Sequence, residues 1–285
     1  MTSLWIETAV GLVVGGLVGG IGYALGTLTV SAALIVMLAS VLGFGLDGWI
    51  WGATLLVGVL GNILWAHYRS RIQTRARTGV RARTNGIQMI ARLGWAMLLA
   101  ILSRFTGQTD QTLAAYVGAV AAATADTWAT EVGMLSLQRP RLIVLRRRVA
   151  AGTPGAVSLL GSVAALGGAW LVGLAALAFT VLRAVLLESG LWNRDLAWLP
   201  LSAALGGMAG CLLDSFLGAT AQAYYHCEHC DAYSETPTHT CGRPANPVRG
   251  WPWLTNEGVN LVGTALGAAV SAILFAGLAR SGVPW

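Results

Sequence analysis

A carboxylate has no cheap place inside a hydrocarbon layer. Yet the run 117–133, VGAVAAATADTWATEVG, carries Asp126, Thr127, Thr130 and Glu131 within a stretch long and apolar enough to enter one. Asp214 lies in a similar run, LLDSFLGAT at 212–220, and Glu257 opens the last apolar segment. Acids in such surroundings read as functional groups that face a partner, water or a metal. Hard divalent cations prefer carboxylate oxygens together with substrate phosphates, so Asp126 and Asp214 are expected to hold Mg²⁺. On an ideal helix Asp126 shares a face with Thr130 and Thr127 shares one with Glu131. Asp126 and Glu131, five positions apart, diverge by about 140°. Either the helix is distorted so that one ion takes both, or Glu131 orients a basic side chain while Asp126 and Asp214 bind the metal. The plainer alternative is a buried acid that only pairs with an arginine.

Other residues suit the partners of such a site. The stretch AGTPGAVS at 151–158 opens a helix, and Gly-rich turns at helix N-termini offer backbone N–H groups and a positive dipole end to phosphate. Gly152, Thr153, Gly155 and Ser158 are therefore expected phosphate-binding positions, although a Pro-Gly turn entering any helix looks the same. Arg141, after Pro140 and close to the membrane, is the arginine expected to contact phosphate. Arg249, Asn256, Glu257 and Asn260 form a further polar group around the last membrane entry, and Asn85 stands at an earlier one; an Asn at a helix start also serves as a cap. Cys227, Cys230, His239 and Cys241, in the arrangement C-x₂-C-x₈-H-x-C, match a closed tetrahedral zinc site of structural kind; His226 or His229 could replace His239, and reduced thiols without metal are the alternative.

Membrane helices must position all of these. The chain is 55% hydrophobic and 11% charged, against roughly a quarter charged in soluble domains. Eight apolar spans are expected, at about 4–24, 28–44, 47–66, 87–104, 112–136, 156–182, 197–220 and 257–279, or seven if the region before residue 66 holds two helices and a re-entrant piece. This is an all-α polytopic transmembrane bundle: N-terminal helices over 1–66, a core over 67–280, and a small Cys/His loop at 221–256 inserted in it. All 18 basic residues of the Lys+Arg count are arginine, which excludes a Schiff-base lysine and a Walker-type phosphate loop. Two acid-free loops, 67–85 with Arg69, Arg71, Arg75, Arg77, Arg81 and Arg83, and 138–155 with Arg139, Arg141, Arg146, Arg147 and Arg148, should share the cytoplasmic face. That placement of the net charge of +6 argues against nucleic-acid binding and leaves spare arginines for anionic lipid headgroups. MTSLWIETAV lacks the basic region of a cleaved signal, so the first helix is expected to stay. Gly118, Ala121, Asp126 and Thr127 match Gly206, Ala209, Asp214 and Ser215 in spacing, which suggests a parallel repeat.

The motifs ADTWATEVG, PRL at 140–142, GTPGAVSLLG at 152–161, LLDSFLGATAQ at 212–222, the Cys/His loop and W-x-x-N-x-x-x-N at 253–260 together resemble the membrane family of plant phytyl-phosphate kinase and human transmembrane protein 19, from about Thr84 onward. The family pattern has Ser where Pro154 stands, Gly at Ala156 and Asp at Thr255. The resemblance implies transfer of a phosphoryl group from a nucleoside triphosphate, CTP or ATP, to an isoprenyl monophosphate; the expected location is a cell membrane of bacterial type, with the arginine loops setting the site toward the cytoplasm. Rival expectations are a transporter or channel for an ion or lipid, and a nucleotidyltransferase that makes a CDP-lipid. Oligomeric state is left open.

Overall fold

The computed structural model describes residues 2–75, 83–106, 110–186 and 193–281. Arg77 and Arg81 of the first arginine cluster lie outside the described residues. Within them run eight α-helices: α1 (Thr2–Ala24), α2 (Val30–Asp47), α3 (Trp49–Arg75), α4 (Gly86–Thr106), α5 (Asp110–Gly133), α6 (Leu159–Leu186), α7 (Leu199–Thr220) and α8 (Asn256–Arg280). Six helices are long and apolar enough to cross a membrane, and α2 is a shorter apolar one. α5 is too acidic and too rich in small residues to read as a span by itself. It can lie at membrane depth because α3, α4, α6, α7 and α8 pack around it, burying nearly every residue from Leu113 to Ala125. α1 sits at the edge against α2.

Successive helices alternate in direction, and contacts at both ends show it. At one end Thr29 N–H donates to Thr84 O and Thr84 N–H to Thr27 O, each at 3.0 Å, which ties the α1–α2 turn to the entry of α4. The Arg83 guanidinium lies 5.7 Å from the Tyr23 ring centre at this same end. At the other end Asn193 donates to Asp110, joining the start of α5 to the turn before α7. The expected arginine loop at 67–85 begins later than its composition suggests. No Gly or Pro falls between Gly61 and Gly79, so α3 continues to Arg75 and carries Arg69 and Arg71 on its last turns.

Small strands cover the end where α5 and α7 finish. β1 (Arg141–Leu142) pairs antiparallel with β2 (Ala156–Val157) just before α6. β3 (Tyr224–Cys227) is the middle strand of a sheet, between β4 (Ala232–Ser234) and β5 (Asn246–Arg249), both antiparallel to it. The Cys/His segment, expected only as a loop, is thus a three-stranded sheet.

Candidate active site

Glycines fix the relative depth of the two intramembrane aspartates. A Cβ on Gly118 of α5 would stand 2.5 Å from the Gly267 carbonyl oxygen of α8, and one on Gly206 of α7 would stand 2.6 Å from the same atom. Both helices therefore press their backbones on one turn of α8, as small residues allow inside membranes. They run in the same direction, and each aspartate follows its glycine by eight residues, about 12 Å along the axis. Asp126 and Asp214 consequently reach equal depth, within electrostatic reach of one another. This is the register that the matched spacing of the two segments suggests.

Both acids line a cavity of about 250 Å³ at the end of the bundle where α5 and α7 finish and α6 and α8 begin. Gly152, Thr153, Gly155 and Ser158 line it too, with Thr130, Asn256 and Asn260. Gly152 and Gly155 have φ of 86° and 78°, values that favour glycine. At Gly155 space is also decisive, since a Cβ would lie 2.4 Å from the Ala219 nitrogen of α7. Ser158 caps α6, its Oγ accepting from Gly161 N–H at 3.1 Å, and the first turn of the helix at Gly161 and Ser162 borders the cavity. Thr153 donates its hydroxyl to Ala150 O at 2.8 Å. Asn260 donates to Asn256 O at 3.0 Å, while Thr255 caps α8 by accepting from Gly258 N–H. Position 255, where the family pattern has Asp, thus has a capping role that Thr also fills.

Sequence reasoning missed the cation of the site. Arg92 of α4 lines the cavity, acts electrostatically on both aspartates, and has a buried Nε with no hydrogen-bond partner among the described residues. The signal was available: an arginine inside an apolar span obeys the same rule that singled out the acids. Glu235, just beyond β4, was missed as well. It reaches the cavity from the sheet, and desolvation there, with Glu257 and Asp126 nearby, holds its carboxyl above the usual range.

Several expected residues stand elsewhere. Arg141 is exposed on β1, because strand alternation turns its neighbour Leu142 inward instead. Glu131 forms an ion pair with Arg69 Nε at 2.7 Å, and with Thr127 it lines a separate small cavity that also reaches Arg92. The Thr127 hydroxyl donates to Ala123 O at 2.8 Å. Asn85 closes a capping box at the start of α4: its Oδ1 accepts from Gln88 N–H at 3.0 Å and its own N–H donates to Gln88 Oε1 at 3.1 Å. Arg249 donates to Gly218 O at 2.8 Å, satisfying a carbonyl near the end of α7, and lies 5.4 Å from the Tyr224 ring centre. Glu257 occupies the first turn of α8, where the helix dipole favours an acid.

The Cys/His set is brought together. Ligand atoms of Cys227, Cys230, His239 and Cys241 all lie within 4.8 Å of one another. Cys227 Sγ is 3.8 Å and His239 Nδ1 is 3.2 Å from Cys241 Sγ. The hydrogen bond to His239 lowers the Cys241 thiol to about 6. His226 is engaged instead with Asp231 at 3.0 Å.

Comparison with known proteins places this arrangement in a family. Protein PGR of Arabidopsis thaliana is 31% identical over 243 residues, 79% of this chain and 82% of that protein. Uncharacterized membrane protein MJ0933 of Methanocaldococcus jannaschii is 31% identical over 180 residues, 63% of this chain and 57% of its own. No solved structure matches. The family described as Integral membrane protein DUF92 matches residues 13–268, so the likeness begins well before Thr84 and runs from within α1 to within α8; the chain belongs to that family.

Proposed function

We propose that the protein is an integral membrane phosphotransferase that moves the γ-phosphoryl group of a nucleoside triphosphate, CTP or ATP, to an isoprenyl monophosphate. The observation that carries this reading is one cavity into which two carboxylates from parallel helices, the Arg92 side chain, a glycine-rich turn and the N-terminal turn of α6 all converge. Phosphoryl transfer asks for positioning and charge neutralisation rather than covalent chemistry by the protein. Asp214 Oδ2 is buried with no hydrogen-bond partner among the described residues, which suits a cation ligand. Asp126 and Asp214 would hold Mg²⁺, which when bound supplies positive charge to the phosphate oxygens.

The remaining roles fall to this chain's own groups. The glycine-rich turn at 152–155 and the positive dipole end of α6 would hold the nucleotide phosphates, and Arg92 would stabilise charge on the transferring group. The acceptor phosphate oxygen, already anionic, bonds to the γ-phosphorus; the β–γ bridging P–O bond breaks and its electron pair leaves with the nucleoside diphosphate. No general base is needed. Met208 and Leu212 give the cavity an apolar wall on α7, and Leu212, 45% exposed, would offer an isoprenyl tail a path out. Arg69 and Arg71 on the last turns of α3, and the arginines at 139–148 that follow α5, belong to this end of the bundle, so a positive-inside orientation would put the site on the cytoplasmic face.

The test is transfer of label from γ-³²P nucleoside triphosphates to phytyl and geranylgeranyl monophosphates by purified protein with Mg²⁺. Labelled prenyl diphosphate from the wild type, absent with folded Asp126→Asn or Asp214→Asn, is the expected result. Release of pyrophosphate would point to nucleotidyl transfer and a CDP-lipid. A transporter reading draws on the parallel pairing of α5 and α7 with acids at membrane depth; ion or lipid flux into proteoliposomes without nucleotide, and no label transfer, would establish it.

A further inference from the structure

The β3–β4–β5 sheet lacks the means to hold its own shape by apolar packing. Its buried cluster consists of Ala223, Tyr225, Cys227 and Ala245, separate from the core of the helix bundle. So small a core does not order a polar segment of this length, and structural metals commonly supply the missing free energy. The spacing of the four ligand atoms fits one. Tetrahedral zinc with Zn–S bonds of about 2.3 Å sets its sulfurs roughly 3.8 Å apart. The separation between Cys227 and Cys241 Sγ is 3.8 Å.

Backbone geometry presents these ligands on tight turns. Asp231, directly after Cys230, has φ of 47°, and Gly242, directly after Cys241, has φ of 82°. His239 N–H donates to Arg243 O and Gly242 N–H to His239 O, each at 2.9 Å, so the second ligand pair sits in a closed hairpin. Between the pairs the chain leaves Cys230, forms β4, and returns at His239. Glu235 lies on that excursion, five residues after one ligand and four before the other, and it borders the cavity beside Gln222.

We propose that Cys227, Cys230, His239 and Cys241 bind one zinc ion, and that this ion clamps the sheet as a lid over the cavity, with Glu235 as the part that reaches in. The metal takes no part in chemistry, since four protein ligands close its shell. Its removal loosens the 231–238 excursion, which keeps its pairing with β3, the His226–Asp231 contact and the hydrogen bond from Ala245 N–H to Pro237 O, and opens the cavity to water. The sheet's other attachments remain, namely Arg249 on Gly218 O and the hydrogen bond from Trp251 N–H to Ala221 O. The bundle should therefore survive loss of the metal.

Two measurements on the full chain in detergent test this, and neither needs a substrate, so their outcome is separate from that of phosphoryl transfer. The first is metal content by inductively coupled plasma mass spectrometry, expected at one zinc per chain, with at least a tenfold loss in Cys227→Ser/Cys241→Ser while helix content by circular dichroism is kept. Wild-type protein that holds no zinc, as purified or after zinc is added, overturns the site. The second follows Ser162→Cys, at the cavity border, through labelling by a water-soluble maleimide mapped by peptide mass spectrometry. Labelling should quicken at least about fivefold once a chelator strips the zinc, and slow again in protein reloaded before labelling. Equal rates with and without zinc would overturn the lid while leaving the metal site in place.

Discussion

Replacing Arg92 with glutamine removes the one arginine that lines the cavity among the described residues, and leaves Asp126 and Asp214 facing each other without it. If Arg92 stabilises charge on the transferring phosphoryl group, its loss resembles deletion of a preorganised donor, which costs about 10²–10³ in kcat. Stability should fall too. Breaking a fully buried charge network costs about 3–5 kcal/mol, and because Arg92 and both acids are only partly buried a loss of about 2–3 kcal/mol is the reasonable expectation. Arg92→Lys restores the charge without the planar fork and should recover part of the rate, to within roughly tenfold of wild type. Label transfer to phytyl monophosphate gives kcat and KM for all three proteins, and thermal unfolding in detergent gives the stability term separately. A kcat for folded Arg92→Gln within about threefold of wild type would refute the assignment of this side chain to the phosphoryl group.

Other substitutions examine the scaffold. Glu131→Gln should destabilise by about 3 kcal/mol, because Arg69 then lacks its ion partner in a poorly hydrated place, and the reversed pair Arg69→Glu/Glu131→Arg should recover part of that in thermal unfolding. Asn85→Ala should cost about 1 kcal/mol through loss of the capping box, with turnover unchanged; a large loss of turnover at unchanged stability would return Asn85 to the site. Gly206→Ala places a methyl against the Gly267 carbonyl and should cost about 1–3 kcal/mol, read as a lowered unfolding midpoint, with turnover impaired because α7 carries Asp214.

The helices were legible because apolar runs of membrane length are a strong one-dimensional signal, and the seams between them are marked by Gly, Pro and Arg. Intramembrane Asp126 and Asp214 were legible for the same reason, as exceptions within those runs. Arg92 was equally visible as an exception, but it was absorbed into a span that otherwise looked ordinary. Arg141 misled because proximity along the chain does not say which way a strand turns, and a two-residue strand shows no alternation to read. The sheet around Cys227 stayed hidden because its strands are three and four residues long, too short for periodicity, and their order depends on side-chain clustering rather than on propensity. Asn85 and Thr255 show the converse: each caps the helix it starts.

The shielded position of α5 has a consequence for how the protein is made. An aspartate costs about 2.5–3.5 kcal/mol at the centre of a helix offered alone to lipid, Asp126 is the acid of α5 nearest that centre, and its alanines return little. During synthesis α5 would thus be a poor candidate to leave the translocon unaided. The next segment to emerge, α6, is strongly apolar and packs along α5. A chain stopped before Leu159 should leave α5 uncommitted to the bilayer, whereas one extended through Leu186 can retain it, so the helix that carries Asp126 and Glu131 enters the membrane as the dependant of the one that follows it.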